Sequence, residues 1–336
     1  MAKKLSDIPV SVLDLATIVE GDTASDAFRK SLESAQHAER LGFTRYWFAE
    51  HHNMESVASA ATAVLIGYIA GGTSTIRVGS GGIMLPNHAP LIIAEQFGTL
   101  ASLYPGRIDL GVGRAPGTDP LTSWALRRER KGDVDEFPND VVELMNYLGP
   151  KQPEAKVHAV PGQNTNVPVW ILGSSTYGAQ LAAMLGLPYA FASHFAPTYL
   201  MDALQVYRDR FKPSQHLQQP YSMACVNVIA ADTDEEAQRL ATSLYMLALG
   251  LIKDKRRPLQ PPVASMEDLW STQEQAAVEH MMHYRFVGSR ATVKEELEKF
   301  VAATGVDELM IAAHIYDQAA RIKSMEIVAD IFKNQG

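Results

Sequence analysis

At 336 residues the chain is long enough for about two domains, or for one barrel of alternating strands and helices. Its 46% apolar and 20% charged residues are ordinary for a globular protein with a large core. The formal net charge of −8 argues against a nucleic-acid binder, which carries a basic face. A single cysteine, Cys225, rules out an intrachain disulfide and fits a reducing, cytoplasmic compartment. The opening MAKKLSDIPVS has two lysines with no apolar run behind them, so it does not read as a signal peptide. The longest mostly apolar stretch, Ala58 to Ala70, is too short to span a bilayer.

Eight short apolar runs recur with helical patterns between them. Val10 to Leu15 precedes a helix from Ala24 to Leu41, which Gly42 ends. Tyr46 to Ala49 closes on Glu50-His51-His52, and a helix from Ser59 to Ala70 follows. The third run starts at Ile76 and is interrupted by Gly79, Gly81 and Gly82. Glycines there weaken a strand, and make sense where something flat must lie against the backbone. A helix from Leu91 to Leu103 leads to Ile108–Val112, which closes on Gly113-Arg114. A polar segment then runs to Val134, and a helix from Asp140 to Leu148. Residues 149–167 are rich in Pro, Gly, Asn and Gln and read as loop with a short hairpin.

Val169 to Leu172 ends in Gly173-Ser174-Ser175 ahead of a helix from Gly178 to Leu185. Tyr189 to Ala192 ends in Ser193-His194, ahead of a helix from Thr198 to Phe211. Met223 to Ala231 is followed by Thr233 and Glu236 at capping-box spacing, opening a helix to Leu251. Residues 252–282 are irregular and then amphipathic. They carry Lys253, Lys255, Arg256 and Arg257 together, and long insertions of this kind are often lids. A helix from Ala291 to Thr304, the run Leu309–Ala313 and a helix from Asp317 to Phe332 close the chain. Alternating strands and helices imply parallel pairing through crossovers, and eight units close an α/β (β/α)8 TIM barrel with insertions, read as one domain over 1–336. A doubly wound sheet would place a glycine-rich phosphate turn after its first strand, and none follows Leu15.

Polar residues collect just after the runs: Glu50-His51-His52, Ser80, Asn87-His88, Arg114, Ser174-Ser175, His194 and His314. In a barrel these positions form the C-terminal mouth, where active sites are built. A metal site would need the histidines to converge. Consecutive strand residues face opposite ways, however, and no His-x-His or H-E-x-x-H pattern is present. Ser174, Ser175 and Gly178 at a helix start suit a phosphate, or serve as an ordinary cap. Arg114 supplies a matching charge, or forms a salt bridge with Glu50 or Asp119. Trp124, Phe191, Phe195 and Tyr199 are aromatic candidates for a substrate wall.

The segments RYWFAEHHN, TIRVGSGGIMLPNHAPL, YPGRIDLGVGRAPGTD, VWILGSS and FASHFAP together resemble the bacterial luciferase-like monooxygenases. They are most similar to the non-luminescent group with GSGG-x-MLPNHAPL on its third strand. The resemblance implies a barrel, usually a homodimer, that uses O2 and reduced FMN from a separate flavin reductase to oxidise a small organic substrate. A sister branch uses F420, and a non-catalytic flavin-binding subunit is a further alternative. By motif, His51 matches the catalytic mouth histidine. Gly81-Gly82 matches a cis peptide lying against the flavin. Arg114, Ser175 and Gly178 match the phosphate site. Ser80, Ser174 and His194 fall in the same cofactor-binding set. Gly113 stands where light-emitting members carry a cysteine, so light emission is not implied.

Overall fold

The computed structural model describes residues 3–115, 118–127 and 136–333. Strands and helices alternate in the order β1 (Val10–Asp14), α1 (Ala24–Leu41), β2 (Arg45–Phe48), α2 (Thr62–Gly71), β3 (Arg77–Met84), α3 (Pro90–Leu103) and β4 (Ile108–Gly113). Helices α4 (Pro120–Arg127) and α5 (Phe137–Leu148) then precede β5 (Val169–Gly173), α6 (Thr176–Leu185), β6 (Tyr189–Phe191), α7 (Leu200–Arg210) and β7 (Ser222–Ala230). The last part comprises α8 (Asp234–Ile252), α9 (Thr272–Met281), β8 (Arg285–Gly288), α10 (Arg290–Thr304), β9 (Glu308–Ala312) and α11 (Gln318–Lys333).

Parallel pairing runs from β1 through β2, β3, β4, β5 and β6 to β7, then to β9 and back to β1. Eight strands thus close a (β/α)8 barrel. A ninth, β8, lies outside it. β7 is long enough for three neighbours: Ser222–Ala224 match β6, Met223–Asn227 match β9, and Asn227–Ala230 match β8. Neither β8 nor α4 was expected from the apolar runs. Residues 149–167 contain no strand, so the short hairpin is absent there. Ten residues of the 252–282 insertion are also regular, because Ser271 caps α9 through the Glu274 amide. The rest is tied to the barrel: Leu259 exchanges backbone hydrogen bonds with Ile18 and Glu20, and the Val263 N–H donates to Thr242.

Strand alternation sorts the side chains into two layers. Val10, Val12, Tyr46, Phe48 and Val78 pack outward under the helices. Leu13, Trp47, Ala49, Trp170, Ala190, Met223, Cys225 and Met310 fill the barrel. At the N-terminal end of the strands, Arg45 bridges Asp109 at 2.7 Å and Glu308 at 3.0 Å, and Arg77 also pairs with Asp109. The Arg45 guanidinium lies 4.9 Å from the Trp170 ring centre. This end is plugged, which leaves the C-terminal mouth for chemistry.

Candidate active site

The mouth holds two connecting chambers. The first, about 430 Å³, is bounded by Ala49, His51, Gly81, Gly82, Met84 and Arg114, then by Ser174, Ser175, Tyr177, Gly178 and His194. The second, about 310 Å³, lies under α8 and both ends of the insertion, against Leu244, Leu247, Ala248, Leu251, Met281 and Met282. Leu15, His51, His194 and Phe195 belong to both walls, so they form the opening between the chambers.

The flat wall comes from β3. The Gly81–Gly82 peptide bond is cis, and the β3–β4 register shifts between Gly81 and Ile83. A Cβ on Gly81 would sit 2.8 Å from Leu13, and one on Gly82 would sit 2.6 Å from the Gly111 carbonyl oxygen. Only glycine lets the strand run that close to its neighbours. Glu50 clamps this stretch from both sides. Its N–H donates to the Gly82 carbonyl at 3.3 Å, and its Oε2 accepts from the Met84 N–H at 3.0 Å. Its Oε1 receives His52 Nε2 at 2.7 Å and His88 Nε2 at 2.8 Å, and both nitrogens donate because a carboxylate only accepts. Burial pushes the Glu50 carboxyl up, but the His52, His88 and Met84 hydrogen bonds outweigh that and bring it to about 2. The two histidines therefore part: His52 turns to Glu50, and His51 lines both chambers.

The polar end of the first chamber comes from β4, β5 and α6. The Arg114 guanidinium lies over the Tyr177 ring at 4.0 Å. Neither Glu50 nor Asp119 pairs with it, and among the described residues it joins no ion pair. Ser175 is the N-cap of α6 and its Oγ accepts the Tyr177 N–H at 3.4 Å. A Cβ on Gly178 would meet the Leu172 carbonyl oxygen at 3.3 Å and Gly173 Cα at 3.4 Å, so a glycine here seats α6 against the end of β5. The free amides of the first turn thereby reach the chamber beside Arg114.

His194, on the wall of both chambers, and His314, on that of the second, each have a buried Nδ1 with no hydrogen-bond partner. Burial, with the nearby His314 and His51, presses His194 down to about 3. Burial and the Arg321 guanidinium press His314 to about 4, while Asp14 opposes them. Arg321 is itself held 2.9 Å from Asp14 at the end of β1. Both imidazoles are thus neutral at neutral pH.

Most of the residues expected from the sequence converge: His51, Gly81, Gly82, Arg114, Ser174, Ser175, Gly178 and His194 all line the first chamber. Ser80 does not. Gly79 and Gly81 face the barrel interior, so Ser80 faces the helices and donates to the Gly111 carbonyl at 2.8 Å. Of the four aromatic candidates only Phe195 lines the chambers. Phe191 packs in the helix layer, and Trp124 and Tyr199 are exposed away from both cavities. Tyr177 and Phe137 were missed. An aromatic ring in the first turn after a Ser-Ser cap was the available signal for Tyr177.

A family model described as luciferase-like monooxygenase matches residues 8–308. An Escherichia coli (strain K12) protein called luciferase-like monooxygenase is 52% identical over 324 residues, covering 96% of this chain and 97% of its own. The solved structure of apo-MsnO8 superposes with a TM-score of 0.91 at 36% identity, over 97% of this chain and 98% of that one. At 18% and 16% identity the fold alone recurs in the oxygenating constituent of 3,6-diketocamphane monooxygenase in complex with FMN (TM-score 0.70) and in an F420-dependent secondary alcohol dehydrogenase (0.66). The barrel, its mouth and the matched span agree: the chain belongs to the luciferase-like monooxygenase family of oxidoreductases.

Proposed function

We propose that the protein is a flavin-dependent monooxygenase that holds reduced FMN in the first chamber and uses O2 to oxidise a small organic substrate in the second. One observation carries this reading: a single cavity joins a flat wall of Gly81 and Gly82 to an end built from Arg114, Ser174, Ser175 and the first turn of α6. The donor set fits FMN, since a planar ring suits the glycine wall and a phosphate suits the guanidinium and helix amides. When bound, the reduced flavin supplies the electrons that activate O2. The chain's own groups do the rest. Arg114, steadied over Tyr177, and Ser175 bind the phosphate. His194 offers its unpartnered Nδ1 to the cofactor. His51, at the opening between the chambers, takes up or donates the proton where cofactor and substrate meet. Ser80 contributes only by holding β4 in place. Residues 252–282 act as a lid that excludes water from the reacting atoms.

On this reading FMN arrives from a separate flavin reductase, and the enzyme works as a homodimer in the cytoplasm, where its one buried thiol stays reduced. The alternative is an F420-dependent oxidoreductase, and titration with F420 beside FMN separates the two. A non-catalytic flavin-binding subunit would not need His51 at the opening. The test of the phosphate site compares FMN with riboflavin, which has the same ring without the phosphate. FMN is expected to bind tighter by roughly a hundredfold, and Arg114→Ala to remove most of that gap with riboflavin affinity unchanged. Equal affinity in the unmutated protein would sink the assignment. Oxygen consumption with reduced FMN across a substrate panel then tests the reaction.

A further inference from the structure

We infer that the substrate is an apolar molecule ending in a carboxylate, which Arg256 holds in the second chamber away from the cofactor. The inference rests on reading that chamber as the substrate's. Its wall is largely aliphatic and thioether: Leu244, Leu247, Leu251, Met54, Met281 and Met282. Arg256 is the one Lys, Arg, Asp or Glu among the described residues lining it. Of the four basic residues clustered at 253–257, it alone turns inward. Lys253 pairs with Glu274 at 2.6 Å, and Lys255 and Arg257 line a separate shallow hollow beside Gly250.

The guanidinium is under-used by its own chain. Its Nε is buried and has no hydrogen-bond partner. The nearest carboxylate, Asp254, is 3.6 Å away with its side chain 87% exposed, a weak and well-solvated pair. Arg256 is also absent from the opening formed by Leu15, His51, His194 and Phe195. A carboxylate on Arg256 thus leaves the apolar body of the ligand to run toward His51. Arg256 supplies the one permanent positive charge on the described wall, which matches one monovalent anion. A phosphate would call for a second permanent cation, and no other Lys or Arg is on the described wall. The competing role for Arg256 is to cover apolar surface with its stem while the head stays in water.

The probes are octanoate, octanol and octylammonium, titrated calorimetrically into the wild-type protein, Arg256→Gln and Arg114→Ala. Octanoate is expected to bind the wild type about tenfold tighter than octanol, with octylammonium weakest. Arg256→Gln should bring octanoate down to octanol's affinity without changing octanol. Arg256→Lys should restore part of the gap, because it keeps the charge but not the fork. Arg114→Ala should leave the gap intact. Equal binding of octanoate and octanol by the wild type overturns the inference. So does a gap that survives Arg256→Gln, or one lost in Arg114→Ala, which would place the anion in the other chamber. FMN titration of Arg256→Gln keeps the two readings apart: unchanged FMN binding is expected, and its absence from every protein would count against the flavin reading, not the carboxylate one.

Discussion

Just beyond β2, two adjacent histidines have different work. His52 is spent on Glu50, whereas His51 stands in the opening between the chambers. His51→Ala should therefore cut substrate oxidation about a hundredfold or more, the usual contribution of a placed acid–base group, while FMN affinity stays near the wild-type value. Unchanged coupling of oxygen use to product would remove the role assigned to it. The buried titratable groups set a pH dependence of stability with two windows. His194 and His314 have folded values of about 3 and about 4, below the ordinary 6.5. As pH falls from about 6.5 to about 4, the unfolded chain takes protons that the folded one refuses, so stability is lost by a few kcal/mol. Glu50 acts lower, since its contribution is whole above its ordinary 4.5 and is lost as pH falls toward about 2. Chemical denaturation of His314→Gln between about pH 5 and pH 7 should show a flatter slope than wild type, whatever glutamine does to absolute stability. An unaltered slope means that His314 is not one of the groups refusing the proton.

At the level of elements, every strand that closes the barrel was legible as an apolar run, because each is buried on both faces. β8 was not. Its four residues, Arg285–Gly288, hold only two apolar side chains and pair with one edge of β7 alone. α4 went unread because Leu121, Trp124 and Leu126, its large apolar residues, are exposed and give the helix no buried stripe. The residues of the candidate site were legible where a residue type and a strand end coincided, as at His51 and Arg114. Ser80 misled because the glycines beside it hide which face of β3 is inward. The clamp made by Glu50 joins β2, β3 and the turn holding His88, and no local pattern marks it. The insertion was read as a lid from its length and its basic cluster. Its fixed points at Leu259 and Val263, with the Lys253, Asp254 and Lys255 amides bonded to α8 carbonyls, leave 256–258 as the stretch with room to hinge. Limited trypsin digestion should cut after the exposed Lys255, Arg257 being protected by the proline that follows it, and cutting should slow several-fold with FMN and substrate bound. Complete protection without any ligand would argue for a fixed cover.

For the molecule as a whole, the two ends of the barrel are separable. Glu308 is fully buried at the plugged end, where it takes Arg45 at 3.0 Å, Tyr221 at 2.9 Å and the Ser11 hydroxyl. Removing one partner of such a network leaves the other charge uncompensated. Glu308→Gln should cost about 3 kcal/mol, read as a lower melting temperature, with FMN affinity unchanged because none of these groups reaches the mouth. A parallel loss of FMN binding at temperatures where the variant is folded would show that the ends are coupled.

The long β7 has one more consequence. Every described residue that bounds the first chamber lies between Leu13 and Phe195. The aliphatic roof of the second chamber, from Leu244 to Met282, lies wholly between β7 and β8. β8 gives that insertion its own anchor on β7, outside the closed barrel, so the roof can change length or lining without disturbing strand closure. On the proposed assignment of the chambers, gene segments that encode the grip on the cofactor and the fit to the substrate are therefore distinct. A lineage can exchange the second while inheriting the first intact, and a barrel of this plan can acquire new substrates by editing one contiguous stretch of its sequence.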